Sequence, residues 1–392
     1  MKLLLTNDEL HEVNGGTQLF IGELARELLN RGHEIAVYTW LAGSLADQMR
    51  ANGVRVVQSP KDCGFTPDLI HGQQHLSTMA ALAAFPGVPV LYHCHGYSPW
   101  QEQPPVHPRI VRYVSMSLSL VPWIAETVGR KKEEILVILN SVNLARFQHV
   151  RTPRTTPQRA LLFGNSPLPG ELLSRLRQAC HHCGLVLDFA GKPFDNPIAS
   201  PEEVLPTYDI VFAAGRSALE ALASGCAVIP CTAHGCSAMV MPDEVARWRA
   251  MNFISPKRNL LPSIQSISKI IRSYHPTAAA AVTENIREIC DFRLTCNLLE
   301  TSYQKSLADW NASPCSADAE ATAFSHYLST LGPYVKGAGE RFAALRETML
   351  ENKARLVSLK QQNEALKLQW RTIERRLPKW LRRWIFRGRE TA

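Results

Sequence analysis

The sequence has no run of eighteen or so consecutive apolar residues, so no segment reads as a membrane-spanning helix. Its start, MKLLLTNDEL, has an apolar stretch too short for a secretory leader, with acidic residues directly behind it. The expected setting is therefore cytoplasmic. Disulfide-framework spacing is also missing. Ten cysteines are scattered over 392 residues, the usage of reduced, largely buried thiols. Outside the C-terminal end there is no excess of either charge. Residues 340–392 hold 14 Lys+Arg and 6 Asp+Glu, which is the entire net charge of +8, and the remainder holds 29 of each sign. A neutral body lacks the basic face of a nucleic-acid binder, so no nucleic-acid partner is expected. What is present is 45% hydrophobic and 20% charged residues. That is an ordinary globular balance, in a chain long enough for two or three domains.

Strands and helices alternate twice. Lys2–Thr6 reads as a strand, Asn14-Gly15-Gly16-Thr17 as a loop, and Thr17–Arg31 as a helix with Leu19, Phe20, Leu24, Leu28 and Leu29 on one face. Gly32 stops that helix. Glu34–Tyr38, Val54–Gln58, the end of Asp68–His71 and Val88–Tyr92 read as further strands. The polar stretch 148–158, with two prolines, reads as a linker. The second series runs Ala160–Phe163 (strand), Gly170–Cys183 (helix), Val186–Ala190 (strand), Ile210–Ala213 (strand), Ser217–Ser224 (helix) and Cys226–Pro230 (strand). Such alternation predicts an α/β fold of two doubly wound, Rossmann-like domains, residues 1–150 and 158–312, with a ligand cleft between their strand ends. Residues 313–339 read as a connecting segment that holds one helix.

The C-terminal part carries a heptad pattern. Phe342, Leu345, Met349, Asn352, Leu356, Leu359, Asn363, Leu366, Trp370, Ile373 and Leu377 alternate three- and four-residue spacings. This predicts an α-helical coiled coil over 340–377. A long amphipathic helix folded back on its own domain is the alternative. The e positions Arg346, Lys353, Lys360 and Lys367 are all basic, and Arg355 sits at g. The expected partner through 342–377 is therefore a second copy or an acidic helix that relieves the repulsion. Beyond Pro378, residues 378–392 place Trp380, Leu381, Trp384 and Ile385 on one face, flanked by Lys379, Arg382, Arg383 and Arg387. That pattern suits an anionic membrane surface, contacted through 378–389, and makes the expected location peripheral at the inner face.

Four stretches in order, NGGTQLFIGELARELLNRGHEIAVYT, PDLIHGQQH with GVPVLYHCHGY, VILNSVNLARF and YDIVFAAGRSALEALASGCAVIPC, together resemble the GT-B glycosyltransferases, most closely the retaining family 4. The resemblance spans roughly residues 1–300. It implies transfer of a sugar from a nucleotide-sugar donor to a glycan acceptor, of hexosyltransferase type. No cofactor is implied beyond that donor, which is a substrate. Gly15 and Gly16, between a strand and a helix N-terminus, let backbone N–H groups approach an acceptor or phosphate; a tight turn alone would also use them. The resemblance places His95 near the transferred sugar and leaving phosphate. A neutral imidazole there can donate to a hydroxyl. His93 would face the other side of a regular strand. The resemblance gives Glu220 the donor ribose hydroxyls, with Ser217 and Gly215 beside it. Ser217 and Glu220 also have capping-box spacing, which competes with that role.

Two departures bear on activity. Phe212 stands where the family carries a second glutamate. Residues 163–170, FGNSPLPG, contain no basic residue where the family carries an arginine and a lysine against the donor diphosphate. Arg216 and Lys192 are the candidates to replace them, and an enzyme in which neither reaches would be impaired. No Asp-x-Asp pair occurs, so a metal-dependent transfer route is not indicated. Cys180-His181-His182-Cys183 lacks a second pair for zinc, and His93-Cys94-His95 lacks a third ligand. The membrane-facing tail points to a lipid-linked acceptor in bacterial surface polysaccharide synthesis. The rival reading is a degenerate GT-B scaffold that recruits partner enzymes to the membrane through its coiled coil; a nucleotide-sugar epimerase is a third.

Overall fold

The computed structural model describes residues 1–11, 15–97, 100–254, 260–376 and 378. The chain divides into two units, Met1–Ala323 and Phe324–Ala392.

The first unit holds two large sheets and a two-stranded one. In chain order its first lobe has β1 (Lys2–Thr6), β2 (Glu9–Leu10), β3 (Glu34–Tyr38), β4 (Leu41–Ala42), β5 (Arg55–Val57), β6 (Leu69–Gly72), β7 (Val90–Cys94), β8 (Ile110–Ser115) and β9 (Leu136–Val137). β2 and β4 pair with each other, and the other seven form a parallel sheet in the order β5-β3-β1-β6-β7-β8-β9. The second lobe has β10 (Arg159–Phe163), β11 (Val186–Ala190), β12 (Ile210–Ala213), β13 (Ala227–Thr232) and β14 (Gly235–Cys236), in the order β11-β10-β12-β13-β14. Only β14 is antiparallel to its neighbour. Helices α1 (Gly16–Asn30), α2 (Ser44–Ala51), α3 (His75–Ala84) and α4 (Val121–Val128) belong to the first lobe. α5 (Gly170–His182), α6 (Pro201–Val204), α7 (Gly215–Ala223), α8 (Val245–Ala250), α9 (Ile264–Arg272) and α10 (Pro276–Ile289) belong to the second.

The strand sequences explain the layering. Leu3, Leu4 and Leu5 are consecutive and fully buried, as a strand covered on both faces requires. Leu3 and Leu5 meet Ile21, Leu24 and Leu28 of α1. In the second lobe, Leu161, Val211 and Val228 pack with α7 and α10, while Phe212 and Ile229 pack on the other face with α5 and α9. Phe212, at the place of the family's second glutamate, is thus a core side chain.

Two sequence expectations are corrected. α11 (Phe292–Ala312) falls inside the stretch expected to belong to the second domain. It instead lays Phe292, Cys296, Leu299 and Tyr303 into the first lobe's core. Its apolar spacing carries no information about which sheet it covers. The connecting segment expected over 313–339 is mostly helix, because α12 runs without a break from Ala317 to Arg376. The chain therefore crosses between lobes twice, and the crossings are hydrogen-bonded side by side. The Val142 N–H donates to the Cys290 carbonyl at 2.9 Å, and the Phe292 N–H to the Val142 carbonyl at 3.0 Å.

The first turn of α12 is tied to the first lobe through Arg109, which is fully buried. Its guanidinium donates to the carbonyls of Leu82, Phe85 and Val88 around the end of α3. Its Nε lies 2.8 Å from the Glu320 carboxylate. In the second unit α12 continues as an exposed helix. Phe342, Leu345, Met349, Leu356, Leu359, Leu366 and Trp370 are each more than half exposed. The membrane-contact expectation for 378–389 lies, apart from Pro378, outside the described residues. No described helix is long and apolar enough to cross a membrane.

Candidate functional site

Ligands of open parallel sheets bind beyond the carboxyl ends of the strands, where the order reverses. In the first lobe that place lies beyond β1 and β6, and in the second beyond β10 and β12. A cleft opens between them. Gly16 and Leu19 of α1 line it from the first lobe, and Phe163, Asn165, Gly191, Arg216, Ser217 and Glu220 from the second. Arg146, on the first crossing, completes the wall.

Backbone geometry builds the second-lobe side. Gly215 opens α7 at φ +59°, a left-handed conformation that glycine adopts without steric cost. Gly191 has φ +126°, and a Cβ there would lie 1.9 Å from the Gly164 carbonyl oxygen. Only glycine lets the ends of β10 and β11 approach so closely. Lys192 follows it as an exposed residue outside the cleft lining. Its backbone N–H donates to Asn165 Oδ1 at 3.2 Å.

The capping-box expectation is corrected. The N-cap of α7 is Ala214, with no side-chain cap bond, because the helix starts at Gly215, one turn too early for Ser217 to cap it. Glu220 is instead bound by Arg216, whose Nε donates to Glu220 Oε1 at 2.8 Å. The same guanidinium reaches across the cleft, and its Nη2 donates to Glu23 Oε2 on α1 at 2.6 Å. All three side chains are nearly buried. Burial opposes the Arg216 charge, but Glu23 and Glu220 outweigh it and raise its pKa. Burial pushes the Glu220 carboxyl up, with Arg216 working against that rise. Arg216 is therefore present in the cleft but already engaged by two carboxylates. Arg146 is a further cation there, paired with Glu202 at 2.7 Å.

On the first-lobe side Gly15 is the extended N-cap of α1, and Gly16 begins the helix with no side-chain cap. A Cβ on Gly16 would meet nothing within 4 Å, so its backbone faces open space. His95 lies one residue past the end of β7. Its ring packs against Phe20 at 5.0 Å and against His93 at 4.2 Å between centroids. The expectation that His93 and His95 face opposite sides is thus corrected: side chains two residues apart along a strand point to the same face, and these two rings meet there. His71 joins the group 5.7 Å from His93, with its Nδ1 2.8 Å from the Tyr303 hydroxyl. His95 Nε2 has no hydrogen-bond partner among the described residues. Burial, then the charge of Arg216, holds His95 down to about 3. A neutral imidazole at every physiological pH can orient a hydroxyl but is a poor proton acceptor. No group of three ligands fit for a metal occurs among the described residues. In the Cys180–Cys183 run, Cys180 is buried in the core while His181 and His182 are exposed, so the run does not converge.

A second polar group lies beyond β1, β6 and β7. Gln74 accepts from the Asp8 N–H at 2.7 Å and donates to Glu102 Oε1 at 3.0 Å. Burial, then Asp8 nearby, raises Glu102 to about 7, although Gln74 pulls it down. Glu102 ordinarily titrates near 4.5, so the folded chain holds more protons than the unfolded one between these values. Its contribution is fully present below about 4.5 and is lost as pH rises through about 7. Glu102→Gln keeps the acceptor for Gln74 and removes the charge. The wild-type melting temperature should then fall more between pH 5 and pH 8 than that of the variant. Parallel slopes in thermal unfolding would contradict this origin.

Sequence reasoning missed Glu23 and Arg146. Glu23 lies seven residues into α1, and nothing in the helix pattern marks a partner 193 residues away. Arg146 sits inside NSVNLARF, where the resemblance could have drawn attention to it.

No protein-family model matches the sequence, and no curated protein matches it by sequence. Solved structures do match in three dimensions. A glycosyltransferase from Rickettsia africae ESF-5 aligns with TM-score 0.58 at 12% identity, over 78% of this chain and 98% of its own. Anabaena Alr3699/HepE, solved with UDP and glucose, aligns with TM-score 0.55 at 13% identity, over 78% of this chain and 99% of its own. The lipopolysaccharide outer core galactosyltransferase WaaB aligns with TM-score 0.50 at 14% identity, over 77% of this chain and all of its own. Two parallel sheets with a cleft between their carboxyl edges, closed by a helix that returns to the first lobe, make this the GT-B fold.

Proposed function

We propose that the chain transfers a sugar from a nucleotide-sugar donor to a glycan acceptor. The observation that carries this reading is the placement of Glu220 and Ser217 on the first turns of α7, in a cleft between the carboxyl edges of both sheets. A carboxylate there can accept from both ribose hydroxyls, and the helix N-terminus favours the diphosphate. The acceptor enters from the first lobe, between Gly16 and His95, whose neutral imidazole orients a hydroxyl. In the transfer the bond from the anomeric carbon to the phosphate oxygen breaks, with its electron pair leaving on the nucleoside diphosphate. The acceptor oxygen bonds to that carbon and its proton goes to the departing phosphate, with retention as the resemblance implies. Arg216 and Arg146 are the cations that line the cleft, and Lys192 lies outside its lining. Among the structural neighbours, one was solved with UDP and glucose and another is a lipopolysaccharide galactosyltransferase, which supports the reading. On this reading the donor sugar is a hexose and the acceptor is lipid-linked at the inner face of a membrane, with α12 pairing through 342–377.

A second reading, the non-catalytic scaffold, is favoured by Phe212 in the core and by the two carboxylates already on Arg216. Calorimetric titration of the full chain with UDP, GDP and ADP separates them. Saturable binding of one nucleotide is expected and names the base. A folded chain that binds none of the three would leave the scaffold.

A further inference from the structure

Arg216 is the only link between charged side chains of α1 and α7 found among the described residues, and it lines the cleft beside the N-terminus of α7. With Glu23 and Glu220 it makes a nearly buried group of one positive and two negative charges, which repels an anion. One carboxylate, Glu220, belongs to the same helix as Arg216. The other, Glu23, comes from the opposite lobe, and its Oε1 is buried without a hydrogen-bond partner among the described residues. The two carboxylates take different donors of the one guanidinium, Nε for Glu220 and Nη2 for Glu23, so the bond to Glu23 can be given up while that to Glu220 is kept.

We infer that Glu23 is a latch. It holds Arg216 across the cleft while no anion is bound, and releases it to a diphosphate group that enters the site. The exchange is of charge partners only: Arg216 turns from the Glu23 carboxylate to the phosphate oxygens, and Glu23 turns to solvent as the lobes adjust. The latch explains how the site manages without a basic residue in 163–170. Its cation is supplied by α7 and is kept masked by the other lobe. This inference rests on the donor-site reading for the identity of the ligand, but not for the behaviour of Arg216.

The test titrates inorganic pyrophosphate, the nucleoside diphosphates and the matching uncharged nucleosides into the full-length wild type, Glu23→Gln and Arg216→Ala. Circular dichroism and melting temperature confirm that each is folded. Removing one negative charge beside the anion should tighten pyrophosphate binding roughly tenfold in Glu23→Gln. Nucleoside binding should not change, since a nucleoside carries no phosphate. Arg216→Ala should lose pyrophosphate binding, and Glu23→Gln should not restore it in the double variant. Unchanged or weaker pyrophosphate binding in folded Glu23→Gln overturns the latch. Preference for one nucleoside diphosphate over pyrophosphate bears instead on the donor site. A chain that gains pyrophosphate binding in Glu23→Gln but prefers no base keeps the latch and loses the donor reading.

Discussion

Replacing Glu220 by alanine should weaken binding of the preferred nucleoside diphosphate about a hundredfold. Two charge-assisted hydrogen bonds to the ribose hydroxyls are lost, each contributing about 1.5–3 kcal/mol. The expected loss has an opponent. Without Glu220 the guanidinium of Arg216 is held only by Glu23 and is easier to recruit, which favours the diphosphate. A hundredfold net loss therefore requires the ribose contacts to dominate. The 2′-deoxy nucleotide separates the two contributions. The wild type should bind it roughly tenfold less well than the parent nucleotide, for one missing bond. Glu220→Ala should bind both equally, because the group that reads the hydroxyl is gone. Should the variant still discriminate against the deoxy form, the ribose is read elsewhere and Glu220 serves only its arginine.

The other large effect concerns stability. Arg109→Met should lower the unfolding free energy by about 3–5 kcal/mol, measured by urea denaturation. Methionine fills a similar space, so the loss is electrostatic. It strands the Glu320 carboxylate and removes the donor shared by three carbonyls around the end of α3. A cation at a helix C-terminus also offsets the dipole there. Glu320→Gln should cost less, since the carbonyl bonds survive. The double variant should be less damaging than the sum, because the two changes remove one interaction. A loss under about 1 kcal/mol for Arg109→Met would mean that water replaces the guanidinium readily.

The sheets were legible because buried parallel strands are written as short apolar runs, such as Leu3–Leu5 and Ile210–Ala213, each followed by a helical period. The helix that carries Glu220 was legible for a similar reason, since it follows the strand Ile210–Ala213, but its start at a left-handed Gly215 was not. What was hidden depends on contacts distant in sequence. Glu23 looks like any polar residue on the outer face of α1 until the second lobe brings Arg216 to it. Arg109 follows a proline in a polar stretch, and its burial is decided by α3 and by Glu320, more than two hundred residues later. The expectation that His93 turns away from His95 failed on the period of a strand, which puts residues two apart on the same face. The capping box failed on a boundary, by one turn at the start of α7. For α11 the sequence reading named no helix, and nothing in its apolar spacing says which sheet it covers.

That helix has a consequence for how the protein is made. The second lobe is a continuous stretch of chain, roughly 159–289, and has every strand it needs once that stretch has left the ribosome. The first lobe begins at residue 1 but lacks Phe292, Cys296, Leu299 and Tyr303 until more than three hundred residues have been synthesised. Until then the apolar face that these side chains cover stays open to water and to other proteins, an invitation to chaperones and to aggregation. Nascent chains stalled so that only residues up to Cys290 are outside the tunnel should bind a hydrophobic dye, and chains exposed through Ala312 should not. The lobe that starts first is thus the one completed last.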